Sequence, residues 1–130
     1  MSITAEERKV LLAAQQGELD AVKMYNALAK VVKDTKDAET FRQLAAEEGR
    51  HASVFKALTN EVLQPKSTKA VVIPLLYRII GKKRLYPVIA KGEYDAVRKY
   101  EPVAAAFPEV ESVKDDEKRH GDIVSGLLDT

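Results

Sequence analysis

The sequence predicts an all-α fold, a four-helix bundle with a long connection between its second and third helices. Apolar residues recur at helical spacing through four segments, and no segment has the composition of paired strands. The length of 130 residues fits a single domain with one core, expected to span residues 1–130. The order of segments further predicts two helical hairpins joined by a crossover.

The first hairpin is expected over about 4–63. Residues 4–7 form a capping box, and the helix that follows runs to about Val32. A polar break then leads to Asp37, the predicted N-cap of a second helix that begins near Ala38.

The second hairpin is expected over about 83–130. Its first helix spans about Lys83 to Ala106, and Pro102 removes one backbone hydrogen bond from it. Its second helix begins at Pro108, a favoured first helical residue, and runs to about Leu128.

The crossover, about 64–82, is ambiguous and is interpreted as a short helix or an irregular connection. Its apolar run over 70–80 is about half the ~20 residues that a membrane span needs, and it contains Pro74 and Arg78. We therefore expect no membrane span. Burial against the bundle together with homodimer formation is the favoured role for this run, and an interfacial membrane patch is the alternative.

Composition excludes several classes of function. Lys and Arg total 21 against 20 Asp and Glu, with the signs interspersed, so nucleic acid is not an expected partner. The absence of cysteine excludes disulfides, thiolate zinc sites, iron–sulfur clusters and a rubredoxin-type centre. The N-terminus lacks the pattern of a secretory signal, so a cytoplasmic location is expected.

The chain contains an internal repeat. Residues 17–25 read GELDAVKMY and residues 92–100 read GEYDAVRKY, identical at six of nine positions. Residues 47–51 read EEGRH and residues 116–120 read DEKRH. Each half therefore has a Gly-Glu helix followed by a Glu-x-x-His helix, which indicates two related hairpins.

Six repeat residues are candidate metal ligands. They are Glu18, Glu48, His51, Glu93, Glu117 and His120. In antiparallel hairpins the six side chains fall in one layer, and Glu and His at i and i+3 share a helix face. Four buried carboxylates require compensating charge, which two divalent cations would supply. Oxygen-rich ligation with one imidazole per ion suits iron or manganese. A bundle that needs no metal is the alternative.

With these motifs, the chain resembles the rubrerythrins among the ferritin-like di-iron carboxylate proteins. The matching features are Glu18 with Tyr25, residues 45–51, Gly92-Glu93 with Tyr100, residues 107–109 and residues 117–120. The resemblance covers nearly the whole chain and implies a ferritin-like bundle. It also implies that Glu48 and Glu117 bridge two iron ions, that Glu18 and Glu93 bind terminally, and that each His ligates one ion.

The resemblance implies a di-iron oxidoreductase that reduces hydrogen peroxide. Without cysteine and ending at Thr130, the chain lacks the rubredoxin-like domain, so electrons would come from an external donor protein. Rubrerythrins usually carry a second Glu three residues after the one matched by Glu93, but this chain has Ala96 there. Because alanine has no carboxylate, this departure weighs against a switch in which a second glutamate replaces a histidine as ligand of one ion.

Further residues are candidates around the ligands. They are Glu47, Asp116, Arg50, Arg119, Tyr25 and Tyr100. The two acids either accept the free imidazole N–H or are solvated. The arginines pair with those acids, with Asp20 and Asp95, or with other surface groups. For the tyrosines there are three alternatives. Each one hydrogen-bonds a ligating carboxylate, or shuttles an electron as a catalytic residue, or is simply part of the apolar core.

Three other functions remain open from the sequence. One is iron handling by a ferroxidase of the ferritin type. Another is O₂-dependent hydroxylation of a lipid-like substrate, suggested by the apolar run. The third is a scaffold role without metal.

Overall fold

A computed structural model describes residues 3–129 of the chain, and all of its regular structure is helical. The helices are α1 (Ala5–Val31), α2 (Thr35–Thr59), α3 (Thr68–Ile80), α4 (Lys82–Ala104) and α5 (Pro108–Gly126), followed by a 3₁₀ turn at Leu127–Asp129. No strand occurs between residues 3 and 129, so the all-α prediction is confirmed. The expected domain range, 1–130, extends past these residues at both ends.

The start of α1 follows the prediction. The Glu7 N–H donates to Thr4 Oγ1 at 3.1 Å, and the Thr4 N–H donates to Glu7 Oε1 at 2.9 Å. This reciprocal pair satisfies two of the backbone donors that a helix start leaves open.

The start of α2 differs from the prediction. Its N-cap is Asp34, which accepts from the Asp37 N–H at 3.0 Å, so the helix begins at Thr35 rather than near Ala38. Asp37 is not the cap because its own carboxylate is buried and accepts from the Tyr86 hydroxyl at 2.8 Å. A buried long-range contact has thus taken the side chain that local sequence assigned to capping.

The second hairpin follows its predicted limits closely. Phe107 is the N-cap of α5 and Pro108 its first residue, while Pro102 lies in the last turn of α4. The final helix gives way to the 3₁₀ turn after Gly126, two residues short of the predicted end at Leu128.

The bundle consists of two hairpins packed side by side. Helix α1 packs mainly on α2 and α4 mainly on α5, while α1–α4 and α2–α5 contacts join the hairpins. Two apolar clusters fill the interior, one around Phe41 and Tyr86 and the other around Phe55 and Val110. Along each bundle helix, a buried glutamate lies between the residues that belong to these two clusters. The core is therefore divided by a polar layer.

Helix α3, the crossover helix, lies against α1 and to a lesser extent α4. Ile73, Leu76, Tyr77 and Ile80 pack against the core, but no residue of α3 is fully buried. Its outer face leaves Val71 at 66% and Ile79 at 68% exposure. The expected burial of the apolar run thus holds for one face of the helix only, and homodimer formation stays a prediction.

Within residues 3–129, none of the helices has the length and apolar character required to cross a membrane.

Candidate metal centre

The polar layer contains all six predicted ligands. They are Glu18 on α1, Glu48 and His51 on α2, Glu93 on α4, and Glu117 and His120 on α5. None is more than 6% exposed. Four helices thus each contribute one carboxylate, and the second helix of each hairpin adds one imidazole.

The imidazole of His51 faces three carboxylates. Its Nδ1 lies 3.0 Å from Glu117 Oε1, 3.1 Å from Glu48 Oε1 and 3.5 Å from Glu18 Oε2. Two of these carboxylates belong to its own hairpin, and Glu117 comes from the other.

The imidazole of His120 repeats this arrangement. Its Nδ1 lies 3.1 Å from Glu48 Oε1, 3.4 Å from Glu117 Oε1 and 3.6 Å from Glu93 Oε2. Glu48 and Glu117 therefore approach both imidazoles, whereas Glu18 and Glu93 each approach only one. We therefore call Glu48 and Glu117 the central carboxylates of the layer, and Glu18 and Glu93 its terminal carboxylates.

The electrostatics of this layer favour added positive charge. Burial raises the pKa of Glu18 to about 7, and it also raises the pKa values of Glu48 and Glu93. Burial alone would lower the pKa of His51, but the close carboxylates of Glu117, Glu18 and Glu48 outweigh it and raise that pKa to about 12. The pKa of His120 is raised for the same reason. Without metal ions, protons must supply the compensating charge.

The donor atoms fit two metal ions. Four of them are buried and form no hydrogen bond within the described chain: Glu18 Oε2, Glu93 Oε2, Glu117 Oε1 and His120 Nδ1. Buried polar atoms are normally satisfied, so inward-facing atoms of this kind indicate ligands. One donor atom from each of Glu48, His51, Glu117 and His120 lies within 4.8 Å of the others. Carboxylate oxygens with imidazole nitrogens suit iron or manganese, and four carboxylates balance two divalent ions.

Each imidazole is held from behind by an acid of the opposite hairpin. His51 Nε2 lies 2.8 Å from Asp116 Oδ2, and His120 Nε2 lies 2.8 Å from Glu47 Oε1. Partial burial tends to raise the pKa of each acid, but the imidazole contact prevails and the pKa of both Glu47 and Asp116 is lowered. An ionised acid at Nε2 fixes the tautomer that leaves Nδ1 free to face the centre.

Two buried tyrosines also form hydrogen bonds between the hairpins. The Tyr25 hydroxyl donates to Glu93 Oε1 at 2.5 Å, and the Tyr100 hydroxyl donates to Glu18 Oε1 at 2.6 Å. Burial and the nearby carboxylates raise the pKa of both phenols, so both remain protonated donors. The structure thus places the tyrosines on the two terminal carboxylates.

The two predicted arginines have different surroundings. Arg119 donates to Glu47 and lies 3.3 Å from Asp116 Oδ1. Arg50 is exposed and forms no ion pair with any residue between 3 and 129. The sequence alternative, pairing of these arginines with Asp20 or Asp95, does not occur among the described residues.

A cavity of about 610 Å³ between α1 and α4, bordered also by α3, is a feature that the sequence did not reveal. It reaches Glu18 and Glu93, and Gly17 and Gly92 line it. The repeat carries a sign of this cavity, because Gly17 directly precedes Glu18 in the first half and Gly92 directly precedes Glu93 in the second.

Comparison with known proteins gives one match. A family model described as Rubrerythrin matches residues 9–128, which include all six candidate ligands. No curated protein and no solved structure matches the chain.

Proposed function

The chain belongs to the rubrerythrin family, and from this premise we propose that it is a non-haem di-iron oxidoreductase that reduces hydrogen peroxide. The observation that carries the proposal is the buried layer of four carboxylates and two imidazoles, in which four donor atoms have no hydrogen-bond partner among residues 3–129. Manganese is the alternative metal for the same donors.

The ligand roles follow from the contacts. Glu48 and Glu117 approach both imidazoles and would be shared between two ions, while Glu18 and Glu93 would each bind one. When bound, two ferrous ions would supply the two electrons that, with two protons, convert hydrogen peroxide to two waters. Residues 1–130 contain no cysteine for a rubredoxin-type centre, so a donor outside these residues would return those electrons.

Other residues of the chain would keep these ligands in position. Tyr25 and Tyr100 restrain the terminal carboxylates through one hydrogen bond each, at 2.5 and 2.6 Å. Each tyrosine ring packs on a phenylalanine, with centroids 5.8 Å apart for Tyr25–Phe41 and 5.1 Å for Phe55–Tyr100. This packing holds each phenol ring in place, so that its hydroxyl stays directed at the carboxylate that it binds.

The test is a comparison of two oxidants. The protein is loaded with Fe(II) without oxygen and mixed rapidly with hydrogen peroxide or with O₂ while absorbance follows oxidation. We expect peroxide to oxidise the iron faster than O₂ does, and faster than peroxide oxidises free Fe(II).

Asp20→Ala serves as the control variant, because Asp20 binds the Gln16 side chain and the Lys66 N–H rather than the centre. Faster oxidation by O₂ would replace this proposal with a ferroxidase or an O₂-dependent hydroxylase. Peroxide oxidation no faster than that of free Fe(II) would contradict it outright.

A further inference from the structure

The cavity between α1 and α4 is much larger than the proposed oxidant requires. Its volume is about 610 Å³. A water occupies about 30 Å³ of the liquid, so the cavity could hold roughly twenty molecules of that size. Volumes of about 300–1,000 Å³ are typical of sites for organic ligands. Peroxide access alone therefore does not explain its size.

The wall of the cavity is largely apolar. Small or branched aliphatic side chains from three helices line it, among them Ala13, Ala14 and Ala21 of α1, Ile73 of α3, and Ile89 and Ala96 of α4. Such a surface fits an aliphatic chain rather than a polar molecule.

Two helical glycines keep the opening wide. A Cβ added at Gly17 or Gly92 would meet no atom within 4 Å, so close packing does not require glycine at either position. Glycine inside a helix costs about 0.5–1 kcal/mol relative to alanine. Packing does not explain why a glycine precedes a candidate ligand in both halves. A need to keep the cavity open at these two positions would explain it.

The rim carries two lysines without carboxylate partners. Lys69 of α3 and Lys99 of α4 line the cavity and are exposed, and neither forms an ion pair within the described stretch of chain. The carboxylates that also line the cavity, such as Glu18 and Glu93, lie buried at its inner end. Charge therefore changes from negative at the inner end to positive at the rim.

We propose that this cavity binds an aliphatic carboxylate, with the chain along the apolar wall and the carboxylate at Lys69 and Lys99. The site adjoins the metal centre of the proposed function, so it defines a class of organic ligand for that centre. Binding itself uses the apolar wall and the two lysines.

The experiment is calorimetric titration of the purified protein with dodecanoate below its micelle concentration. Dodecyltrimethylammonium, which has the same chain and a cationic head, is the matched probe. We expect saturable binding of one dodecanoate per chain and at least tenfold weaker binding of the cation. Equal affinity for both probes, or no binding of either, would overturn the proposal.

Variants locate the site. Gly92→Leu fills the cavity and should weaken dodecanoate binding at least tenfold. Gly126→Leu should leave binding unchanged, because Gly126 does not line the cavity and its added Cβ also meets no atom within 4 Å. The double change Lys69→Ala and Lys99→Ala should reduce dodecanoate affinity to that of the cationic probe, and Lys56→Ala on α2 is its control. Unchanged affinity in the glycine and the double-lysine variants would contradict the assignment.

Light scattering and metal content accompany each titration. If the wild-type protein is a dimer that binds no dodecanoate, and if Gly92→Leu dissociates this dimer, then a second copy of the chain covers this face. That result would overturn the proposal. The result is separable from the proposed function, because peroxide oxidation of the ferrous protein is measured without dodecanoate. Either proposal can thus fail while the other stands.

Discussion

The two hairpins contribute equivalent inner residues but differ in the residues behind them. Each supplies two glutamates, one histidine and one tyrosine to the buried layer. The tyrosine of each hairpin bonds the terminal glutamate of the other, and the imidazole of each contacts an acid of the other. Neither hairpin therefore completes its half of the centre alone.

The difference lies in exposure. The Glu47 side chain, behind His120, is 20% exposed and is held by Arg119. The Asp116 side chain, behind His51, is 40% exposed and lies 3.3 Å from the same Arg119, while Arg50 forms no ion pair among residues 3–129. The inward residues of the layer are thus nearly the same in the two halves, whereas the residues behind them differ in how far solvent reaches them.

The largest effect is expected from removing a central carboxylate. Glu48→Ala or Glu117→Ala should abolish loading of two ions, because each carboxylate approaches both imidazoles. Metal analysis per chain measures this, with Asp20→Ala expected to stay near normal. If Glu48→Ala still binds two ions, the ligand assignment is wrong.

A smaller effect is expected from the acids behind the imidazoles. Glu47→Ala and Asp116→Ala should each weaken metal affinity by about 10–100-fold, the usual cost of removing a partner of a ligating histidine. The loss should be greater for Glu47, since water reaches the more exposed Asp116 site and can replace its carboxylate. Competition with a chelator gives both affinities, and a larger loss at Asp116 would reverse the comparison.

The hairpins also differ in packing. By the repeat, Tyr94 and Gly121 of the second half correspond to Leu19 and Ala52 of the first. A Cβ at Gly121 would lie 2.5 Å from the Tyr94 ring. Overpacking costs about 1–3 kcal/mol and exceeds the gain from replacing a helical glycine, so Gly121→Ala should lower the free energy of unfolding by roughly 1 kcal/mol.

Adding Tyr94→Leu to Gly121→Ala recreates the pair found in the first hairpin. The double variant should recover most of the lost free energy of unfolding, as measured by denaturant titration in a double-mutant cycle. Gly126→Ala is the control, since its Cβ meets nothing within 4 Å. Additive losses in the double variant would show that the contact with Tyr94 is not the cause.

The smallest effect is expected at the arginines. Arg119→Ala removes partly exposed ion pairs with Glu47 and Asp116, each worth under about 1 kcal/mol, so metal affinity should fall by no more than a few-fold. Arg50→Ala should leave metal affinity unchanged. A larger loss for Arg50→Ala than for Arg119→Ala in the same chelator competition would contradict this order.

Much of this architecture could be predicted from the sequence because the repeat places ligands at fixed helical spacing. Glu18 and His51 lie at the same level along the bundle axis, as do Glu93 and His120. Both levels follow from the rise per residue of a helix and the positions of the hairpin turns alone. The start of α2 was misplaced because Asp37 is recruited by Tyr86, 49 residues away. Contacts of this kind depend on how the hairpins pack, which local pattern does not contain.

The same limit applies to the surroundings of the centre. The helical spacing predicts that the two tyrosines lie on inward helix faces. It does not predict that each hydroxyl donates to a glutamate of the opposite hairpin. The volume of the cavity was not predictable either, since it depends on the separation of α1 and α4 and on where α3 lies. The one-sided burial of the apolar run likewise reflects this placement of α3.

The most direct test is anaerobic titration of the metal-free protein with Fe(II), with bound iron measured per chain and the melting temperature measured at each step. Binding to the native centre stabilises the fold by linkage, so the melting temperature should rise until about two ions per chain are bound and then level off. No bound iron, or an unchanged melting temperature across the titration, would contradict a centre built from these six side chains.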